Sequence, residues 1–303
     1  LICDEIFGHS NFIELLVWQK KVSPSNDSQY FSNDHEQVLV YARRKRPGVI
    51  DRLERNDQHN KYYTNPDGDS RGRWNSVAPT SNKSADERPN LYYAITNPNT
   101  GDEGWPSRRS SWKYSQASMQ QLIDDDRLYW GADGRSAQPR IKKFLTDAGK
   151  VVPRNVLGYQ EYGSTQSGAT EFRELMGNLP FDYPKPPKLI EGLLAFSPIK
   201  SDEPTIVLDF FAGSGTTGQA VMQKSAQDGA DRQFILIQLE EPLTESAKHP
   251  DIQTIADVTR ERIKRAGQKI LADTGLAANG LDVGFRVLRV DTTNMSDVLR
   301  TPD

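Results

Sequence analysis

The sequence predicts an α/β fold, because two apolar strands flank a glycine-rich turn and the start of a helix. Residues 205–208 (Thr-Ile-Val-Leu) form a short buried strand, and residues 219–223 have the character of a helix opening. Residues 233–239 form a second apolar strand, and this alternation is typical of α/β proteins. The turn between strand and helix is a predicted ligand cradle, because glycines expose the backbone and helix N-terminal N–H groups face a ligand.

The glycine turn by itself fits more than one ligand. Gly213, Gly215 and Gly218 have the spacing of the dinucleotide fingerprint. Asp209 and Phe211, however, lie between the strand and the first glycine, whereas a dinucleotide turn normally places that glycine directly after the strand. This separation favours a different cofactor. A dinucleotide site and an ordinary glycine turn remain as alternatives.

Composition excludes several classes of protein. The chain has 303 residues, of which 36% are hydrophobic, and its mean hydropathy is -0.69. No run approaches the roughly 18 apolar residues of a membrane helix. The single cysteine, Cys3, excludes an internal disulfide and a cysteine-built metal site, which favours a reducing cytoplasm. The start at Leu1 shows neither a methionine nor a signal peptide, so we expect a longer protein upstream.

Further elements follow from hydrophobic periodicity. Residues 11–21 and 35–42 are predicted as two edge strands, joined by a loop rich in Ser, Asn and Pro. The other predicted elements are a helix from residue 170 with Phe172, Leu175, Met176 and Leu179 on one face, a helix at 191–196, a helix at 252–272 and a strand at 284–291. On the 252–272 helix we expect a solvated face formed by the basic residues Arg260, Arg262, Lys264 and Arg265.

Residues 46–165 differ in composition from the rest of the chain. This stretch is polar, and its aromatic and basic residues include Trp74, Trp105, Trp112, Trp130, Arg71, Arg73, Arg108, Arg109, Lys113, Arg135, Arg140, Lys142 and Lys143. Basic side chains neutralise phosphates and aromatic rings stack on bases, so this is the composition of a DNA-facing insertion. A solvated subdomain with the tryptophans as its small core is an equal alternative.

Two motifs carry a resemblance to a known family. Residues 184–190 (Pro-Lys-Pro-Pro-Lys-Leu-Ile) resemble the P-K-P-x-x-L-I motif that contacts the methionine end of S-adenosylmethionine. Residues 209–218 resemble the D-x-F-x-G-S-G-T-T-G motif of the same cofactor site. The order of these motifs is similar to that of the permuted β-class of DNA amino-methyltransferases. Within that class, residues 163–165 and 284–287 resemble the modification (Mod) subunit of Type III restriction–modification systems.

The resemblance implies an α/β fold of the S-adenosylmethionine-dependent methyltransferase type, a Rossmann-like mixed sheet with an inserted target-recognition domain. Residues 1–45 would be part of the catalytic domain, 46–165 the target-recognition insert and 166–303 the cofactor-binding half. The implied activity is methyl transfer from S-adenosylmethionine to adenine N6 in DNA, as the modification component of a Type III system. The implied partners are double-stranded DNA, a second copy of the chain and a restriction (Res) subunit, in a prokaryotic cytoplasm and without a membrane.

The resemblance also implies the residues that bind the cofactor, with no metal ion. They are Pro184, Lys185, Asp209, Phe210, Phe211, Ala212, Gly213, Gly215, Thr216 and Gln238. Gln238 stands where the family has an acid for the ribose hydroxyls, and an amide binds there without charge assistance. Glu240 or Glu241 is the alternative ribose ligand.

No catalytic residue is assigned, because the family's D-P-P-Y motif does not occur in this sequence. In the family it precedes the region of Phe7, holds the target amino group and stacks on the flipped base. We therefore expect this chain alone to bind the cofactor weakly at best and not to methylate DNA. Two alternatives stay open: a cytosine-N4 methyltransferase with the same motifs, and a non-catalytic DNA-recognition module with a vestigial cofactor fold.

Overall fold

The structure is a computed structural model, and it describes residues 2–177, 179, 181–198, 204–244, 250–275 and 280–290. Within these residues the chain is mixed α/β. It divides into two compact units, unit 1 (Leu1–Asp51 with Pro153–Asp303) and unit 2 (Arg52–Val152). Unit 1 carries the glycine turn and residues 184–190, the proline-rich segment.

The helices and strands of the described residues are mostly short. The α-helices are α1 (Ile2–Phe7), α2 (Asp57–Asn60), α3 (Gln116–Asp124), α4 (Tyr159–Tyr162), α5 (Thr165–Met176), α6 (Pro187–Leu194), α7 (Thr216–Asp228) and α8 (Ile255–Thr274). The strands are β1 (Phe12–Gln19), β2 (His35–Tyr41), β3 (Trp74–Val77), β4 (Thr80–Ser81), β5 (Ile95–Thr96), β6 (Glu103–Gly104), β7 (Ser111–Trp112), β8 (Leu128–Tyr129), β9 (Arg140–Phe144), β10 (Val156–Leu157), β11 (Thr205–Asp209) and β12 (Arg232–Leu236). Short 3-10 helices lie at His9–Asn11, Pro89–Leu91 and Leu145–Asp147. No helix among those described combines the length and the apolar composition of a membrane span.

The first sheet of unit 1 has the order β10-β1-β2. Strands β1 and β2 are antiparallel, with Leu16 opposite Val38, and β10 pairs with β1 in parallel, with Val156 opposite Val17. The predicted pairing of the two N-terminal strands is therefore confirmed. The prediction that both are edge strands is wrong for β1, because the distant β10 occupies its second side.

The second sheet of unit 1 consists of β11 and β12, which are parallel, with Val207 opposite Phe234. Helix α7 contacts β12 on one face, where Phe234 packs against the helix core. On the other face Ile206, Leu208 and Ile235 are 58%, 47% and 50% exposed. The prediction of a buried strand at residues 205–208 is therefore wrong for Ile206 and Leu208, since successive residues of a strand point to opposite faces.

The predicted helices are present with shifted limits. Helix α5 begins at Thr165 because Ser164 caps it, accepting a hydrogen bond from the N–H of Ser167 at 3.1 Å. Helix α6 begins earlier than predicted, at Pro187, since proline is tolerated in the first turn. Helix α7 begins at Thr216, inside the glycine motif itself.

The strand predicted at 284–291 is wrong over the residues that are described. Residues 284–290 have no regular structure, and residue 291 lies outside the described ranges. The side chains of Leu281, Val283 and Phe285 pack against the core of α8 instead. This alternating apolar pattern therefore reflects contact with a helix rather than pairing with a strand.

The tryptophans of unit 2 are mainly core residues. Trp112 and Trp130 pack with Tyr93 in one buried cluster, and Trp74 is buried at the start of β3. Trp105 differs, because it is 42% exposed. The alternative in which the tryptophans form a small core is therefore correct for three of the four.

Two of the basic residues of unit 2 neutralise charges inside the unit. The buried ammonium of Lys142 lies 2.7 Å from Asp67 and 2.9 Å from Asp69. Arg71 contacts Asp69 at 2.8 Å, and its hydrogen bonds together with that of Lys142 lower the pKa of Asp69 well below its usual value. For these two basic residues the structure supports a structural role.

Candidate cofactor site

The turn between β11 and α7 is held at both ends by the carboxylate of Asp209. Its Oδ1 accepts a hydrogen bond from the N–H of Phe211 at 3.0 Å, and its Oδ2 accepts one from the hydroxyl of Thr217 at 2.5 Å. The carbonyl of Asp209 accepts the N–H of Ile237 at 2.9 Å. The acid that ends the strand therefore joins strand, turn and helix, and its contact with a cofactor remains a prediction.

The two glycines of the turn differ in what surrounds them. Gly213 and Gly215 have φ values of 53° and 82°, in the left-handed region that favours glycine. Among the described residues, a Cβ on Gly213 would approach only the carbonyl of Phe211 at 3.8 Å and the ring of Phe181 at 4.0 Å. A Cβ on Gly215 would meet Thr259 of α8 at 3.1 Å. Gly213 thus leaves room for a ligand, while Gly215 lets α8 pack against the turn.

Gln238 follows the end of β12 and binds the turn directly. Its Oε1 accepts the N–H of Gly213 at 2.8 Å, and its Nε2 donates to the carbonyl of Leu239 at 3.3 Å. Glu240 forms an exposed ion pair with Arg289 at 3.0 Å. Gln238 is therefore the polar side chain that joins the second strand to the turn, and its contact with a ribose remains a prediction.

The proline-rich segment lies against α5 at close range. A Cβ on Gly168 would lie 2.4 Å from the carbonyl oxygen of Pro184 and 2.8 Å from the nitrogen of Pro186. Gly163 has a φ of 74°, and a Cβ there would lie 2.8 Å from the Cβ of Pro186. Pro184 itself is fully buried. Glycine at these two positions is what allows the segment to reach its place.

Lys185 contributes its backbone to the glycine turn and its side chain to an ion pair. Its carbonyl accepts the hydroxyl of Thr216, the first residue of α7, at 3.3 Å. Its Nζ lies 2.5 Å from Glu36 and 5.1 Å from the ring centroid of the buried Trp18. Partial burial raises the pKa of Glu36, but the hydrogen bond and charge of Lys185 outweigh it and hold that pKa below its usual value. The segment is thus tied to the first sheet and to the helix N-terminus.

The aromatic residues of the turn face outward. Phe210 is 61% exposed and Phe211 is 90% exposed, whereas Ala212 is buried and donates its N–H to the carbonyl of Ile237 at 3.1 Å. Large exposed rings beside a polar turn are available for contact with a flat apolar group. All of the residues assigned to the glycine turn by the sequence are therefore brought together, with the aromatic pair on the outside.

A pocket of about 550 Å³ adjoins the proline-rich segment, and the sequence did not predict it. Its lining includes Lys20, Thr165, Phe181 and Tyr183. Tyr183 has a φ of 54°, an uncommon value for a residue with a side chain, and strain of this kind is concentrated at functional sites. Phe181 lines this pocket and is also the side chain that a Cβ on Gly213 would approach, at 4.0 Å.

Arg262 lies behind the turn, and its prediction as a solvated residue is wrong. It is completely buried, and it donates three hydrogen bonds, to Oε1 of Gln219 at 2.8 Å and to the hydroxyls of Ser214 and Thr216 at 2.7 Å each. Its guanidinium carbon lies 5.3 Å from the ring centroid of Phe172. Burial lowers the pKa of Arg262 to about 10. The sequence indicated this burial, because Arg262 follows Val258 and precedes Ala266 by four residues each, and both of these apolar residues lie on the buried face of α8.

The residues present fit S-adenosylmethionine. Its carboxylate suits the N-terminus of α7, because orphan N–H groups and the helix dipole favour an anion there. Among the described residues, Nη2 of Arg262 has no hydrogen-bond partner, which leaves positive charge behind that same helix end. Gln238 and the exposed Phe211 lie on the side of the turn where β12 ends. Polar, cationic and aromatic groups thus occur together around Gly213.

Comparison with known proteins identifies relatives of the chain. A family described as DNA methylase matches residues 1–249. The Mod subunit of the Type III restriction-modification enzyme StyLTI from Salmonella typhimurium is 32% identical over 96% of this chain and 43% of that protein. The EcoPI Mod subunit of Escherichia phage P1 is 28% identical over 95% of this chain and 47% of its own length. The EcoP15I Mod subunit of Escherichia coli is 26% identical over 100% of this chain and 52% of its own length. The chain therefore spans about half the length of the curated relatives it matches.

We predict that Gly168→Ala displaces the proline-rich segment and weakens ligand binding at the turn. The added methyl group would overlap the carbonyl of Pro184, and such overpacking costs about 1–3 kcal/mol, more than the roughly 1 kcal/mol that alanine gains in helix propensity. Denaturant unfolding monitored by fluorescence measures the loss in the free energy of unfolding. Gly149→Ala is the control, because a Cβ there meets nothing within 4 Å. Equal stability of the two variants would contradict the importance of the close contact.

Proposed function

We propose that this chain, which belongs to the DNA methylase family, is part of a site-specific methyltransferase that transfers a methyl group from S-adenosylmethionine to adenine N6 in DNA. We further propose that it serves as the modification component of a Type III restriction–modification system, since Mod subunits match nearly the whole chain. The observation that carries the cofactor proposal is Gly213, whose backbone has open space beside it at the N-terminus of α7.

The chain's own residues would bind and orient the cofactor, whose methyl group is the electrophile of the reaction. Asp209 holds the turn in its open form, and the backbone of Gly213 and the first turn of α7 would contact the amino-acid end. Gln238 would face the ribose. The backbone of Lys185 closes the same site through its hydrogen bond with Thr216. Orientation of the two reactants is expected to supply most of the acceleration.

We propose that unit 2, which lies within the predicted insert of residues 46–165, binds double-stranded DNA and reads a short site. Arg73, Arg108 and Arg109 are exposed and suited to phosphate contacts, unlike the internally paired Lys142. Trp105 remains partly exposed and could stack on a base. Since a base inside a duplex cannot be methylated at its amino group, the target base would be turned out of the stack.

The proposal extends to domains, partners and location. Residues 1–45 and 166–303 would form the methyltransferase domain on either side of the insert. The proposed protein partners are a restriction (Res) subunit and a second copy of the chain. The names of the Mod relatives support the Res subunit. The family resemblance supports the second copy. The prokaryotic cytoplasm is the proposed location, because the substrate DNA lies there.

Cytosine-N4 transfer is the second candidate activity, because the same motifs serve both reactions. Separation of the nucleosides of DNA from cells that express the gene product containing this chain distinguishes N6-methyladenine from N4-methylcytosine. The first base supports the main proposal. The second base would replace it.

Calorimetric titration tests the cofactor proposal. We predict saturable binding of S-adenosylmethionine and no binding of NAD, because Asp209 and the two aromatic residues separate the strand from the first glycine. Gly213→Ala should weaken the binding at least about tenfold, equivalent to about 1.4 kcal/mol, since its methyl group enters the ligand space. Gly229→Ala is the matched control, because this glycine caps the other end of α7, also has a positive φ and also has open space around it.

Two results would contradict the cofactor proposal. Binding of NAD without binding of S-adenosylmethionine would favour an oxidoreductase. Equal effects of Gly213→Ala and Gly229→Ala would indicate that the ligand binds away from the turn.

A second prediction concerns DNA. Replacing Arg108 and Arg109 by Gln should weaken binding of duplex DNA to similar degrees for different sequences, because phosphate contacts carry no sequence information. The slope of log K against log salt should fall by about 2, close to one unit for each lost contact. Fluorescence anisotropy at several salt concentrations measures both quantities. Lys83→Gln is the control, since the ammonium of Lys83 already forms an ion pair with Glu87 at 2.8 Å. An unchanged slope in the double variant would indicate that DNA does not contact Arg108 and Arg109.

A further inference from the structure

Arg262 is a buried cation that forms no ion pair with a carboxylate of the described residues. Three of its N–H groups are taken by neutral acceptors, the amide of Gln219 and the hydroxyls of Ser214 and Thr216. Its Nη2 is buried and has no hydrogen-bond partner in the described part of the chain. Burial of a charge without a paired counter-charge is costly, and a bound anion would remove that cost.

The nearby acid does not supply this anion. Glu171 of α5 influences Arg262 through its charge, but among the described residues no carboxylate forms an ion pair with the guanidinium. Burial raises the pKa of Glu171, and its charge in turn raises that of Arg262 without a direct ion pair between them. The positive charge of Arg262 therefore remains available to a ligand.

The hydrogen bonds of Arg262 direct its charge toward the N-terminus of α7. Because the guanidinium donates to the hydroxyl oxygens of Ser214 and Thr216, each hydroxyl keeps its own hydrogen to donate elsewhere. Thr216 donates to the carbonyl of Lys185. The hydroxyl of Ser214 lies 3.4 Å from that of Thr216, and the adjacent charge polarises both groups in the loop that leads into the helix. Helix dipole, orphan N–H groups and guanidinium thus act in the same direction.

We propose that Arg262 is a positioning residue that recognises the carboxylate of the cofactor's amino-acid end, acting through Ser214 and Thr216. This inference rests on the proposed binding of S-adenosylmethionine and adds the element that selects its anionic end. The carboxylate completes the charge balance of the buried cluster. Ligand binding is thereby coupled to the ordering of the turn, because the same guanidinium binds Ser214 and Thr216 of the turn and attracts the ligand.

Two ligands separate this role from a purely structural one. S-Adenosylhomocysteine carries the carboxylate, whereas 5′-methylthioadenosine has the same nucleoside and thioether without the amino acid. For Arg262→Met we expect binding of S-adenosylhomocysteine to weaken about 10- to 100-fold and binding of 5′-methylthioadenosine to change less than about threefold, measured by competition titration. Arg260→Met on the same helix is the control, because Arg260 is exposed and pairs with Asp257.

Each outcome decides between the alternatives. Equal weakening of both ligands by Arg262→Met, or no weakening of either, overturns the inference while the proposed cofactor stands. Failure of the gene product that contains this chain to bind either ligand overturns the proposed function itself. Circular dichroism monitors the folding of each variant. If Arg262→Met does not fold, Arg262→Lys takes its place, because lysine keeps the positive charge but lacks the several N–H donors of the guanidinium. A selective, smaller loss for S-adenosylhomocysteine then supports the inference, and an equal loss for both ligands contradicts it.

Discussion

The carboxylate of Asp209 is the interaction on which the candidate site depends. One of its oxygens holds the N–H of Phe211, and the other holds the hydroxyl of Thr217 in the first turn of α7. The turn is thereby fixed as the chain leaves the strand, and Gly213 can adopt a left-handed conformation with space beside it. An acid placed between strand and glycine therefore has a structural reason that precedes any contact with a ligand.

Around this turn, glycines allow segments of the chain to pack closely, and buried polar groups bind those segments to one another. Glycine at 163 and 168 brings the proline-rich segment close to α5, and the carbonyl of Lys185 then reaches the helix N-terminus. On the opposite side Gly215 admits α8, which carries Arg262 into the interior. Two segments that are distant in sequence thus meet at one helix end. A carboxylate would be held there by a dipole and a buried cation together.

The local elements could be predicted from sequence, and the long-range ones could not. The strand, glycine turn and helix start at 205–218 follow one another directly in the chain, so neighbouring residues were enough to predict them. The strand predicted at 284–291 was wrong because the same alternation also suits residues packed on a helix, as Val283 and Phe285 are. Arg262 was missed because a charged residue was expected on the solvated face, although its four-residue spacing matched the apolar stripe of α8. The positive φ of Tyr183 beside the pocket could not be predicted, because a residue before proline normally adopts an extended conformation.

The most direct test follows backbone and arginine side-chain signals by TROSY NMR while S-adenosylhomocysteine is added. If the turn and the buried cation bind the ligand, the largest shifts fall on the amides of Gly213, Ser214 and Thr216, together with the Nε–H of Arg262. Amides of Gly229 and of unit 2 should change little. Saturable binding that leaves the turn and Arg262 unshifted would contradict the central claim that this turn is the cofactor site.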